Sequence, residues 1–280
     1  MPGDNKTREV LKEAYELLEA EANADSSVKF SSPLPNTEEF HEYLFDIKGR
    51  NDRLRVRFFN FPGGWLSCGV EEANYKKLSE LVNRSDVIFI TVSTPYLFEY
   101  KGEFAERAKI KEIQNLLSKA LTKPLTSDKL IIVVPTKCEA YIKDDKEKLY
   151  AKLEELFAET IKLAENDDKI ALAFLPVKTV DNASFSRFEF KEGQDSEIER
   201  EVFKKIANSK FAPENIDQPL RFAISFFLNH FNLSQEQDLK GLRDEIKKGL
   251  KIDEAKIISG LGLINGDAII NPMPLEGNKK

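Results

Sequence analysis

Hydrophobic positions along this chain follow two periods. Within Lys6 to Asn23, Val10, Leu11, Ala14, Leu17 and Leu18 recur at three- and four-residue intervals, which puts them on one side of a helix. SSPLPNTEEF (31–40) breaks the pattern, since its two prolines fix φ and remove backbone donors, and it reads as a loop. From His41 the period shortens. HEYLFDIKGRNDRLRVRFFNF predicts two strands, about Tyr43 to Ile47 and Leu54 to Asn60, joined at KGRND as a hairpin. Three uninterrupted apolar runs follow, DVIFITVST (86–94), KLIIVVPTK (129–137) and IALAFLPVKT (170–179), of the kind buried on both faces in a parallel sheet. Between and after them, Phe104 to Leu121, Lys146 to Glu165 and Pro219 to Asn232 read as helices.

Strands alternating with helices of this length predict an α/β fold: a three-layer α/β/α arrangement around a mostly parallel sheet with an antiparallel hairpin strand, over residues 1–232. The ligand site of such a sheet lies at the carboxyl ends of its strands, so the ends near Phe61, Pro135 and Pro176 should converge on one edge of a single sheet. Residues 233–280 read as an appendage, with a charged helix over about Gln235 to Lys248 and a short hairpin in SGLGLINGDAIINP. This segment either packs on the domain or connects it to a partner.

Composition narrows the function classes. Net charge is -6, with 42 Lys and Arg mixed among 48 Asp and Glu, so neither nucleic acid nor an anionic membrane surface is expected as a partner. Cys68, Cys138, His41 and His230 lack metal-type spacing, and a reducing cytoplasm is the expected compartment. No signal peptide or spanning segment is readable in the sequence.

The strand ending at Asn60 runs into FPGGWL, with the only tryptophan of the chain. Two readings stand. Gly63 and Gly64 either supply the positive φ of a sharp turn or let the backbone come close to a ligand. Trp65 is expected as a core or interface anchor, and Cys138 as a small buried filler.

Phe61-Pro62-Gly63, Thr136-Lys137-Cys138-Glu139 and Pro176-Val177-Lys178-Thr179, in that order at successive strand ends, resemble the P-loop GTPases of the TRAFAC type. Within that group the chain is most similar to predicted bacterial double-GTPase proteins of conflict-system gene neighbourhoods, a likeness also carried by QPLRFA (218–223). The resemblance implies GTP or GDP with Mg²⁺ as ligand. Gly63 would face the γ-phosphate, with Asn60 where the family has Asp. Lys137 and Glu139 would meet the base in a Thr136-started variant of Asn-Lys-x-Asp, and Lys178 would lie in the last base-contacting loop. Lys6 would hold phosphate, and Thr7 and Thr37 the metal.

A phosphate loop is a strand, then G-x-x-x-x-G-K-[ST], then a helix, because successive amides cradle the phosphates. Here Asn5 precedes Lys6-Thr7, and the first glycine and strand would fall before Met1, so the expectation is a fragment begun inside its phosphate loop or a degenerate relative. Lys6 and Thr7 read more readily as an ordinary helix start behind an Asn cap than as a working phosphate site. The function expected is therefore a GTPase-like switch domain, a Mg²⁺-dependent hydrolase if active, that binds nucleotide weakly. The rival is a non-catalytic interaction module on the same fold, meeting a protein partner through the Trp65 region, SSPLPNT or the C-terminal appendage.

Overall fold

The computed structural model describes residues 40–48, 53–67, 69, 72–122, 124–179, 182–193, 198–206, 212–230, 246 and 248–260, with the helical positions Glu9, Lys12 and Glu16. The fold is mixed α/β. Its centre is a four-stranded sheet of β3 (Val87–Ser93), β4 (Lys129–Thr136), β5 (Ile170–Phe174) and β8 (Lys256–Ser259), in that spatial order. β3, β4 and β5 are parallel and in register, Ser93 beside Thr136 and Val133 beside Phe174, so their carboxyl ends share one edge. β8 closes the other side antiparallel to β5, so a strand of the segment 233–280 belongs to the sheet.

Two antiparallel hairpins stand apart from this sheet, each as its own ladder: β1 (His41–Lys48) with β2 (Arg53–Asn60), and β6 (Ala183–Phe190) with β7 (Ile198–Lys205). The expected convergence on a single sheet thus fails for Phe61. The ends after β4 and β5 do share an edge, but β2 has no ladder to β3. Side chains bridge the two instead: Phe58 stacks on Phe89 with ring centroids 5.9 Å apart.

β4 shows why its run carries no polar residue at its centre. Ile131 and Val133 enter one core, with α1 (Ala73–Arg84), α3 (Ile110–Ala120), α4 (Glu139–Leu156) and α5 (Ala158–Glu165). Leu130, Ile132 and Val134 enter the other, against Phe222 and Phe226 of α6 (Gln218–His230). Each fully buried Leu, Ile or Val contributes about 1.5–3 kcal/mol of transfer free energy, which an alternating strand would forgo on one face.

Several helices depart from the sequence expectation. α3 starts at Ile110, after a short helix α2 (Thr94–Phe98) and a 3₁₀ turn at Ala105–Ala108, because Lys109 takes a left-handed conformation with φ 52° and interrupts the run from Phe104. The helix expected from Lys146 begins at Glu139 and is split at Phe157, whose φ of -101° and ψ of 21° leave the helical well while its ring fills the core. α1 had no sequence expectation. Its end is tied to the start of β4 by Lys129, whose buried ammonium donates to the carbonyls of Asn83 (2.8 Å) and Ser85 (3.0 Å), where the helix dipole favours a cation. Burial holds that ammonium below its ordinary pKa, opposed by Asp86.

Among the described residues no helix is long and apolar enough to cross a membrane. The first-helix and SSPLPNT expectations, the helix expected over about Gln235 to Lys248, Lys6, Thr7, Thr37, Cys68 and the hairpin expected in SGLGLINGDAIINP lie outside the described residues, apart from the helical positions Glu9, Lys12, Glu16, Ile246 and Lys248 and from Ser259 and Gly260.

Candidate functional site

Two loops meet at the carboxyl edge of the sheet. β4 ends at Thr136, whose hydroxyl donates to the Val92 carbonyl of β3 at 3.2 Å. Lys137 then takes a φ of 58°, a conformation that costs a non-glycine residue about 1–3 kcal/mol and persists only where the surroundings over-determine it. The turn releases the chain into α4 at Cys138. The neighbouring loop runs alongside, with the Val177 amide on the Pro135 carbonyl (2.9 Å) and the Cys138 amide on the Val177 carbonyl (3.4 Å). Glu139 clamps the two together: its Oε1 accepts from the Thr179 amide (2.6 Å) and the Thr179 hydroxyl (2.9 Å). The structure therefore brings Thr136, Lys137, Glu139 and Lys178 into one corner.

Each of these side chains has a partner inside the protein. Lys178 is ion-paired with Glu214 at 2.9 Å and exchanges backbone hydrogen bonds with it. Lys137 is ion-paired with Glu201 of β7, and Ser93 donates its hydroxyl to the other Glu201 oxygen at 2.5 Å. The Lys137 ammonium also lies 5.6 Å from the centre of the Phe203 ring. The sequence reading missed both Ser93 and Glu201. The alternation in ASFSRFEF and the apolar positions of EIEREVFKK could have revealed the hairpin, but nothing in the sequence pairs Glu201 with Lys137.

Burial sets the chemistry of the corner. Cys138 is packed among Thr94, Pro135 and the core, and burial pushes its thiol up to about 12, against the lowering effect of the Thr94 hydrogen bond. It is a filler, not a nucleophile at neutral pH. Burial also raises the Tyr141 phenol, reinforced by its 2.5 Å hydrogen bond to Glu99. Tyr96 is raised by burial and then by the charge of Glu201.

The turn after β2 is built differently. Asn60 is exposed at the strand end, and Gly63 to Ser67 form a 3₁₀ turn closed by the Trp65 amide on the Pro62 carbonyl at 3.0 Å. Neither Gly63 nor Gly64 has the positive φ of the turn reading, and a methyl group at either would meet open space. Neither backbone conformation nor crowding requires glycine here. Lys109 donates to the Gly63 carbonyl at 2.9 Å. Trp65 is half-buried against the larger core, stacked on Phe40 at 6.1 Å, with the Lys77 ammonium 4.3 Å from the Phe40 ring centre and 5.4 Å from its own.

For a bound nucleotide the fit is divided. The base-side residues stand together, but Lys137 is paired with Glu201, Lys178 with Glu214, and the buried Glu139 is committed to Thr179, so base reading needs these contacts exchanged. The residues proposed for phosphate and Mg²⁺, Lys6, Thr7 and Thr37, lie outside the described set. Among the described residues no group of three His, Cys, Asp or Glu side chains could hold a metal ion. Comparison of the chain with family models, curated proteins and solved structures finds no match in any of the three.

Proposed function

We propose that this chain is a GTPase-like domain of three-layer α/β/α arrangement that binds guanine nucleotide with Mg²⁺ as a switch rather than as a fast hydrolase. The observation that carries the reading is the Glu139–Thr179 clamp. It fixes the two loops expected to meet a base side by side, at the carboxyl ends of adjacent parallel strands, where open α/β sheets bind ligands. Left-handed Lys137 at the strand-to-helix junction and a glycine pair that neither backbone conformation nor crowding requires add to it. In this reading Glu139 and Lys178 flank the base, Lys137 covers it, and Gly63 offers a backbone amide to the γ-phosphate. When bound, Mg²⁺ would supply charge stabilisation to the phosphates, held by Thr7 and Thr37. Gly64 and Trp65 follow Gly63 where a water-positioning side chain would be needed, so turnover is slow.

A specific observation favours a second reading, an interaction module without nucleotide: the Lys137 ammonium already has a carboxylate partner. Calorimetric titration of the chain with GTP, GDP and ATP in Mg²⁺ decides between them. The first reading expects heat with GTP and GDP at dissociation constants above about 1 μM, because Glu201 must be displaced, and none with ATP. No heat with any of the three would leave the interaction module.

A further inference from the structure

The β6–β7 hairpin reaches the candidate corner with one carboxylate. Glu201 is only 7% exposed, and both its oxygens are used, Oε1 by Ser93 at the end of β3 and Oε2 by Lys137 just past the end of β4. The Lys137 side chain remains 35% exposed, so its paired ammonium still faces an approach from solvent. We propose that Glu201 is an intramolecular latch: its carboxylate holds Lys137 in a closed state, and the β6–β7 hairpin must release it before a ligand is read at the corner. The identity of that ligand rests on the nucleotide reading above; the latch itself rests on the contact.

The choice of a charged contact is the physical argument. An apolar pair of similar volume would hold the hairpin at equal or lower cost, because desolvating two charges consumes most of what their attraction returns. What a charge pair adds is exchangeability. A competing acceptor can take the ammonium while water takes the carboxylate.

The hairpin is attached through side chains and not through a ladder. Among the described residues no backbone ladder joins it to the other sheets, and a two-stranded sheet is marginal unless something packs on it. Buried side chains hold it, among them Ala183, Val202 and Phe203, and Phe188 stacks on Tyr96 at 5.2 Å and meets Phe104 edge-on at 5.1 Å. The segment that receives them is strained, with Tyr100 and Lys101 at φ 50° and 57°. Strain of this kind is held in place by its neighbours and relaxes when they leave.

Hydrogen exchange on the full chain, read by mass spectrometry, tests the latch with Glu201→Gln and Lys137→Met. Exchange of the β6 and β7 amides is expected to rise roughly tenfold in both variants, with β4 and β5 unchanged, and Glu201→Gln is expected to bind GTP with Mg²⁺ roughly tenfold more tightly. Unchanged exchange in either folded variant overturns the latch. So does acceleration spread evenly through β4 and β5, or failure of both variants to fold, since the pair would then be a structural pillar. Hairpin opening without a gain in GTP affinity supports the latch and removes the nucleotide as its ligand, a failure of the earlier reading and not of this one.

Discussion

The turn after β4 and the turn after β2 are built on opposite terms. After β4, Thr136, Lys137, Cys138 and Glu139 each have an internal hydrogen-bonding or ionic partner, and the turn stores a left-handed lysine. After β2, two exposed glycines sit in ordinary conformations with open space where a side chain would go. Gly260, at the end of β8, shows what a glycine required by the fold looks like here: its φ is 67°, and an added Cβ would lie 2.6 Å from the Ala171 Cα. The corner after β4 is thus held at every residue, whereas the FPGG turn is held through Pro62, Trp65 and the Gly63 carbonyl and leaves open the space where side chains at its two glycines would go.

The largest effect expected is at the clamp. Glu139→Ala removes the acceptor of both the Thr179 amide and its hydroxyl, and should lower the urea-derived stability by about 2–3 kcal/mol, because two part-buried donors lose their partner. Glu139→Gln keeps a carbonyl oxygen in nearly the same place and should recover more than half of that loss. Equal losses in both variants would mean that charge, and not the clamp, holds the two loops.

A smaller effect follows from the thiol in the same turn. The folded state raises Cys138 from its ordinary 9.0 to about 12, so between those values the unfolded chain has lost a proton that the folded one keeps. Stability then falls as pH rises, by about 1.4 kcal/mol per pH unit from this group. The raised phenols of Tyr96, Tyr141 and Tyr150 act in the same direction and Lys129 in the opposite one, so the group is isolated by comparison with Cys138→Ala. Urea midpoints of the two proteins from pH 8.5 to about 10.5 should converge as pH rises, the wild type losing the steeper share. Parallel curves would place the thiol in a wetter site than its packing implies.

How much of this could be read from the sequence depends on how far apart in the chain the decisive partners lie. The runs LIIVVP and IALAF were legible because a strand buried on both faces leaves no room for polar residues, whereas in VIFITV only Ile90 and Val92 are buried and Thr91 is exposed, so the expected two-sided burial does not hold for β3. α1 carries the same kind of signal, with Tyr75, Leu78 and Val82 buried at three- and four-residue intervals, and the sequence expectation did not take it up. The strand-to-helix turn at Thr136–Glu139 was visible as a motif, but its closure by Glu201 was not. A contact between β4 and a separate hairpin is set by the packing of rings such as Phe188 on Tyr96, and no local pattern encodes it. Likewise the 3₁₀ form of the FPGG turn hid behind a glycine pair that suggested positive φ, because glycine permits that conformation without demanding it.

The smallest stability effect is expected where the functional effect would be most selective. Gly63→Ala puts a methyl group into open space on a backbone that an L-residue adopts without strain, so stability should change by less than about 0.5 kcal/mol, with any shift toward greater stability because the unfolded chain loses freedom. If the glycine is there to bring its amide close to a phosphate, the same methyl should weaken GTP binding roughly tenfold or more, about 1.4 kcal/mol, while the urea midpoint stays put. Trp65 reports the event, since it lies two residues away, half-buried beside Phe40 and Lys77, and its fluorescence should respond to GTP with Mg²⁺ in the wild type and less in the variant. Fluorescence titration of both proteins reads the two quantities on one sample. A variant with unchanged stability, unchanged nucleotide response and an unchanged tryptophan signal would make FPGG a solvent-facing turn, and the comparison between the two corners would then favour the interaction module.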